Sequence, residues 1–378
     1  MSTLRGITWD HPRGYAPLAA SERMYEDPDG IQIRWDKRSL KEFGDAPLVE
    51  LASEYDLIVL DHPHMGVAAK ENCLLPLEEW IPASLLQELA ISSAGPSFDS
   101  YHFQDHQWAL PVDAACQMAA YRSDLLPEHA LPHTWPEVFR LAEELREQGR
   151  TIGMALCPTD SLCSFLTLCA QRGYGPVEGH TELVPEEIGR QVLQDLRTLK
   201  QSCHPDSLSW NPIALFDHMS AAQHQIAYAP LAFGYTNYSR PGFAEKRLAF
   251  TSIPGKTHAL IGGAGLAISR TCPHPEAAAR YIAWVCSEPF QCSGYTRNGG
   301  QPGNGAAWTD PVADRITGGF LSNTYDTLHY AYMRPRSASW PAFQENLGEQ
   351  IHAFLSDDSL PPKQTFHYIQ SLYSQETS

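Results

Sequence analysis

Strand-like and helix-like segments alternate without a break through the first sixty residues, and this alternation limits the folds open to the chain. Apolar runs at residues 4–9, 31–35 and 56–60 have the length and β-branched content of buried strands. Residues 15–26 and 46–54 between them read as helices. Such an order predicts an α/β protein with a parallel sheet, in which ligands meet the loops that follow the carboxyl ends of the strands.

A second informative stretch runs from Ala109 to Gly149. An apolar strand carrying one acid, Asp113, leads into Tyr121-Arg122-Ser123-Asp124, a proline-rich turn and an amphipathic helix. Thr134 before Trp135-Pro136 supplies an N-cap with proline in the first turn, and Glu137 completes a capping box. Val138, Leu141, Ala142 and Leu145 then recur at helical spacing. This order suggests a crossing between two lobes.

Further along, residues 151–156 read as a strand, 162–171 and 186–201 as helices, and 225–230 as a strand before an aromatic loop. Residues 248–254 and 262–269 follow as strands, then helices at 277–286, 340–355 and 365–373.

A length of 378 residues accommodates two lobes, each with its own core. The net charge of −17 argues against a general attraction to nucleic acid or anionic lipid. Apolar runs such as Leu57-Ile58-Val59-Leu60 fall far short of the ~20 residues that span a bilayer, so an integral membrane protein is not expected. The start, Met1-Ser2-Thr3-Leu4-Arg5, has no basic leader or cleavage site. A cytoplasmic location is expected for the chain as it stands, or a periplasmic one if a leader was removed. Nine cysteines with no CxxC pair fit free, mostly buried thiols in a reducing compartment.

Taken in order, several short motifs resemble one family across nearly the whole chain. They are Ile7-Thr8-Trp9 leading to Gly14-Tyr15, the strand Asp56-Leu57-Ile58-Val59-Leu60, and Leu74-Leu75-Pro76-Leu77 before a helix. Then come Leu110-Pro111 with Tyr121 and Thr134-Trp135, the glycine-rich Gly262-Gly263-Ala264-Gly265-Leu266, His274-Pro275-Glu276-Ala277-Ala278, Gly300-Gln301-Pro302, and Arg334-Pro335 through Trp340. No one motif is specific; their order carries the resemblance. The family is that of the extracellular solute-binding proteins of the sugar-importer type, which contains the maltose-binding protein.

The resemblance implies a periplasmic-binding-protein-like fold of type II, with two α/β lobes joined by a multi-segment hinge. The expected N-terminal lobe is residues 1–110 plus 262–302, and the C-terminal lobe is 115–255 plus 308–378. Crossings are expected near 110–115, 254–262 and 301–308. Such lobes close on a solute by hinge motion, and Gly255, Gly262 and Gly263 could absorb the rotation. The resemblance also implies a small polar solute, a permease of an ABC importer as partner, a monomeric state and no cofactor.

Several side chains fall in the loops where such a ligand would sit. In the loop after the first strand, Arg13 and the N–H groups of a following helix favour an anion or an oxygen-rich ligand, with His11 and Tyr15 beside them; a surface Arg13 and a turn-capping His11 are the plain alternative. Asp61, His62 and His64 follow the third strand. Two histidines on a loop without a further ligand do not make a metal site, and none is expected; the choice is between ligand hydrogen bonding and a structural loop. Tyr174, Phe233, Tyr235 and Trp340 offer rings for stacking on a sugar, although core packing is the commoner fate of an aromatic. The family's tryptophan at the start of a similar C-terminal helix stacks on sugar, which makes Trp340 the best carry-over. Asp113 could hold ligand hydroxyls or bond backbone across the hinge, and Gly263 and Arg297 complete the candidates. The cationic set of Arg13, His11, His62, His64 and Arg297 tilts the expected ligand toward one carrying a carboxylate, sulfonate or phosphate.

An enzyme is not expected. Gly262-Gly263-Ala264-Gly265 precedes a strand rather than joining a strand to a helix, so the dinucleotide fingerprint fails, and no G-x-S-x-G, H-E-x-x-H or P-loop pattern occurs. The remaining alternative is a leaderless cytoplasmic relative acting as sensor, scavenger or enzyme partner.

Overall fold

The computed structural model describes residues 2–255 and 258–376. The chain divides into two compact units. Unit 1 comprises Met1–Ala115, Gly262–Thr317 and Arg336–Ala338; unit 2 comprises Cys116–Ile261, Gly318–Pro335 and Ser339–Ser378.

In unit 1, strand β1 (Thr3–Trp9) leads through helix α1 (Pro12–Met24) to β2 (Gln32–Arg38), and helix α2 (Leu40–Asp45) follows. Strand β3 is Leu57–Leu60, and a small hairpin pairs β4 (His102–Phe103) with β5 (His106–Gln107). Strand β6 (Leu110–Tyr121) begins in unit 1 and ends in unit 2. β1 lies between β2 and β3, parallel to both. Their alternating side chains feed two cores: Leu57 and Val59 pack with Leu4, Ile33 and Trp35 on one side, whereas Ile58 and Leu60 pack with Ile7 and Met65 on the other. A sheet buried on both faces explains the near-continuous apolar runs.

In unit 2, β7 (Thr151–Ile152) runs parallel to β8 (Ile226–Phe233), which pairs antiparallel with the second half of β6. β9 (Ala249–Thr251) pairs with β6 as well. Among the surrounding helices, Pro158–Gln171 is buried along nearly its whole length and Trp135–Glu147 shows only its apolar stripe to the core. The Glu137 carboxylate accepts from the backbone N–H groups of His133 and Thr134, as the capping pattern predicts.

Three expectations are corrected. The sheet is mixed, because β10 (Ile261–Ile268) runs antiparallel to β3. The strand expected at 151–156 stops at Ile152, since the N–H groups of Met154 and Leu156 bond to Ser207 and Trp210 instead of a ladder. The strand expected at 248–254 shrinks to Ala249–Thr251, with the Leu248 N–H already given to Tyr238. Unit 1 runs on through residues 301–308 to Thr317. That segment is fastened to unit 1: the Gly305 N–H donates to Ser92, Gly303 accepts from Ala94, and the Trp308 indole donates to Pro302. Lys256 and Thr257, inside the expected second crossing, lie outside the described residues.

Among the described residues no disulfide joins any of the nine cysteines, and Cys73, Cys116, Cys163, Cys169, Cys272 and Cys286 are buried. Among the described residues no helix is long and apolar enough to cross a membrane.

Candidate functional site

The carboxyl ends of β1 and β3 in unit 1 gather most of the polar candidates. α1 begins immediately after β1, with Pro12 in its first turn and His11 as N-cap. The His11 Nδ1 accepts the Arg13 N–H at 3.0 Å, which requires an unprotonated ring nitrogen there. Burial, reinforced by the Arg13 charge, pushes the His11 pKa down to about 3. His11 is therefore a neutral helix cap.

Arg13 is committed to a partner that its own neighbourhood in sequence does not reveal. Its Nε donates to Asp113 Oδ2 at 2.8 Å and its Nη2 to Oδ1, a bidentate pair that is almost wholly buried. Burial raises the Asp113 pKa while Arg13 opposes that rise. This geometry commits the two side chains to each other. Asp113 lies on β6, whose backbone is clamped from both sides. The Gln291 side-chain amide donates to Val112 and accepts from Gly303, while Gln301 exchanges bonds with Ala114. Tyr295, which sequence reasoning missed, is fully buried beside the pair, and its hydroxyl has no protein partner among the described residues.

Gly263 has φ +104°, and a Cβ there would come within 2.5 Å of the Asp113 carbonyl oxygen. Its place is a close backbone approach to β6, so its glycine serves packing.

After β3, the Asp61 carboxylate accepts the His62 N–H at 2.8 Å and lies 3.0 Å from the His62 Nδ1. His62 is fully buried, edge-on to Tyr101, while His64 is half-buried at the start of the helix Met65–Glu71. Gly66 in that helix seats the returning segment Arg336–Ala338: its N–H donates to Arg336, whose carbonyl oxygen is 2.2 Å from where a Cβ would stand. Among the described residues no group of three or more His, Cys, Asp or Glu is arranged to hold a metal. Tyr15 is half-buried, with Lys37 Nζ 5.3 Å from its ring centre and ion-paired to Asp10 at 2.8 Å. Arg297 is exposed and takes no part in these contacts among the described residues.

The aromatic candidates lie in unit 2. Tyr174 is exposed just beyond the helix Pro158–Gln171, and Phe233 is half-buried at the end of β8. Tyr235 is buried. Trp340 opens the helix Trp340–Ser356 at 2% exposure, packed 5.4 Å from the Phe343 ring. That environment is the one a core aromatic has.

Unit 1 carries its polar loops at the carboxyl ends of the parallel strands of a mixed sheet, the place where α/β proteins hold ligands. The model of the bacterial extracellular solute-binding proteins matches residues 30–311, and the chain belongs to that family. A solute-binding protein of an ABC transporter from Agrobacterium radiobacter K84, solved with ribitol, is 19% identical with a TM-score of 0.80, over 99% of this chain and 98% of that one. A counterpart from Thermotoga lettingae TMO, bound with alpha-D-tagatose, is 16% identical with a TM-score of 0.82, over 100% of both chains. The maltose-bound MalE3 of T. maritima is 17% identical with a TM-score of 0.81, over 100% of this chain and 99% of that one. At these identities the likeness is one of fold. No functionally curated protein matches the chain.

Proposed function

We propose that this protein binds a small polar solute of the sugar or polyol class and serves as the substrate-binding component of an ABC importer, without catalysing a reaction. The family match over residues 30–311 supports this reading most directly. The three solved relatives hold ribitol, tagatose and maltose.

At the strand ends of unit 1, Asp61, His64 and Tyr15 keep partial exposure and offer carboxylate, imidazole and phenol groups to solute hydroxyls. The Arg13–Asp113 pair of the same unit is buried. Charged, hydrogen-bonding groups next to a rigid sheet suit hydroxyl recognition, because each hydroxyl both donates and accepts.

A thermal-shift screen of pentitols, hexoses and maltose tests the proposal, since a ligand that binds only the folded state raises Tm. A saturable rise with at least one of them is expected, and mass spectrometry should recover that ligand unchanged. A chain indifferent to every solute, or a chemically altered ligand, overturns the reading.

A further inference from the structure

Three imidazole rings crowd around one indole in unit 2. Trp210, 4% exposed, has the His204 ring stacked on it at 4.8 Å and 20°, and the His218 ring set edge-on at 4.7 Å and 63°. The His224 ring lies 5.0 Å from that of His218. All three histidines are half-buried, so each ring is packed yet keeps a path for a solvent proton. Among the described residues they are not arranged to hold a metal.

The same stretch of chain holds the segment that follows β7. The His204 N–H donates to Ile152 at 2.8 Å, and the Ser207 hydroxyl accepts from the Met154 N–H. The Trp210 carbonyl oxygen accepts from both Leu156 and Cys157, at 3.1 and 3.0 Å. The indole itself lies over Gly153, where an added Cβ would stand 3.6 Å from it. Residues 153–157, which lead into the helix Pro158–Gln171, are thus anchored on Trp210 and its neighbours.

Burial lowers the His218 pKa, His224 and His204 lower it further, and Asp217 and Asp206 oppose them. Asp217 already accepts the Tyr238 hydroxyl at 2.7 Å, and Asp206 lies 3.9 Å from the His204 Nδ1. Other titratable groups on the surrounding elements are turned elsewhere. Arg122 donates to the Met219 and Ala221 carbonyl oxygens, Arg150 to that of Leu125 and His352 to that of Leu208, while Glu245 accepts the Ala222 N–H. Lys246 and Lys200 face Asp124 and Asp358, and the Cys203 thiol, pushed up to about 12 by burial, stays neutral. Two carboxylates therefore face three imidazoles, and one of the two is already hydrogen-bonded.

We propose that His204, His218 and His224 form an acid-sensitive catch in unit 2: as they charge together, their repulsion parts the rings, Trp210 loses its packing and residues 153–157 lose their anchor. A histidine whose folded pKa is lowered contributes stability that is fully present above its ordinary value of 6.5 and is lost as pH falls below it. The catch thus holds at neutral pH and yields in mild acid. It is a property of unit 2 alone, and its test needs no solute.

Hydrogen exchange of the full chain, read by mass spectrometry at about pH 7.5 and about pH 5.5 and corrected for intrinsic exchange, provides that test. A histidine that takes its proton only in the open form favours opening by up to about tenfold one pH unit below its ordinary value. Protection of peptides spanning 153–157 should therefore fall several-fold, up to about tenfold, while those of β8 keep theirs. The triple variant His204→Gln, His218→Gln, His224→Gln should abolish the fall, and His224→Gln alone, which leaves two rings on Trp210, should reduce it. His129→Gln, at an exposed position outside the cluster, should behave as the parent. Protection of β8 at the higher pH reports whether each variant folds; if the triple variant does not, His224→Gln decides. Equal protection of 153–157 at the two pH values overturns the proposal. So does a fall that His224→Gln leaves undiminished, or one that β8 shares in full, since that is global unfolding.

Discussion

Arg13 and Asp113 lie one hundred residues apart in the chain and form a bidentate ion pair inside unit 1, with side chains 5% and 0% exposed. One residue opens the first helix and the other lies on β6, the strand that leaves the unit. The pair therefore ties the helix-capped loop after β1 to the segment through which the chain departs.

Removing one member alone strands a charge. Arg13→Met or Asp113→Leu should each cost about 3–5 kcal/mol, while the double substitution should cost clearly less than the sum. Urea denaturation of the three variants measures this. Additive losses would mean that the pair is not energetically coupled.

Gly263 sets how closely β10 approaches β6. Gly263→Ala meets two penalties: a φ of +104°, and a methyl carbon 2.5 Å from the Asp113 carbonyl oxygen. A loss of about 2 kcal/mol or more is expected by denaturant unfolding, with m unchanged. Gly149→Ala is the control: φ there is +70° with nothing within 4 Å, so only the backbone term, about 1 kcal/mol, should appear.

How much of this was legible in the sequence follows from how local each signal is. The α/β alternation and the Thr134–Glu137 cap are local, and both read through to the structure. Strand direction is not encoded locally, so the reversed β10 could not be read from its apolar run. The candidate residues after β1 and β3 were found because strand ends mark ligand loops, but their partners were not. Nothing in the neighbourhood of Arg13 names Asp113, and Arg38 in the polar run Asp36-Lys37-Arg38 reads as a surface charge. Its burial becomes evident only once β2 and β1 are paired. Trp340 shows the converse, a position chosen by resemblance whose surroundings here are those of a core aromatic.

The His11 cap makes stability depend on pH in a predictable direction. Its folded pKa is about 3 against an ordinary value of 6.5, so below about pH 6.5 the unfolded chain takes up a proton that the folded chain refuses. Stability at this residue is therefore fully present above about pH 6.5, falls as pH drops, and levels off once the folded histidine is protonated near pH 3. His11→Asn keeps a side-chain acceptor for the Arg13 N–H but has no proton to take up. The stability difference between parent and variant should thus shift by about 3 kcal/mol, against the parent, from about pH 7 to about pH 4. Equilibrium unfolding at both pH values measures it, and an unchanged difference would mean that His11 titrates normally and does not act as a neutral cap.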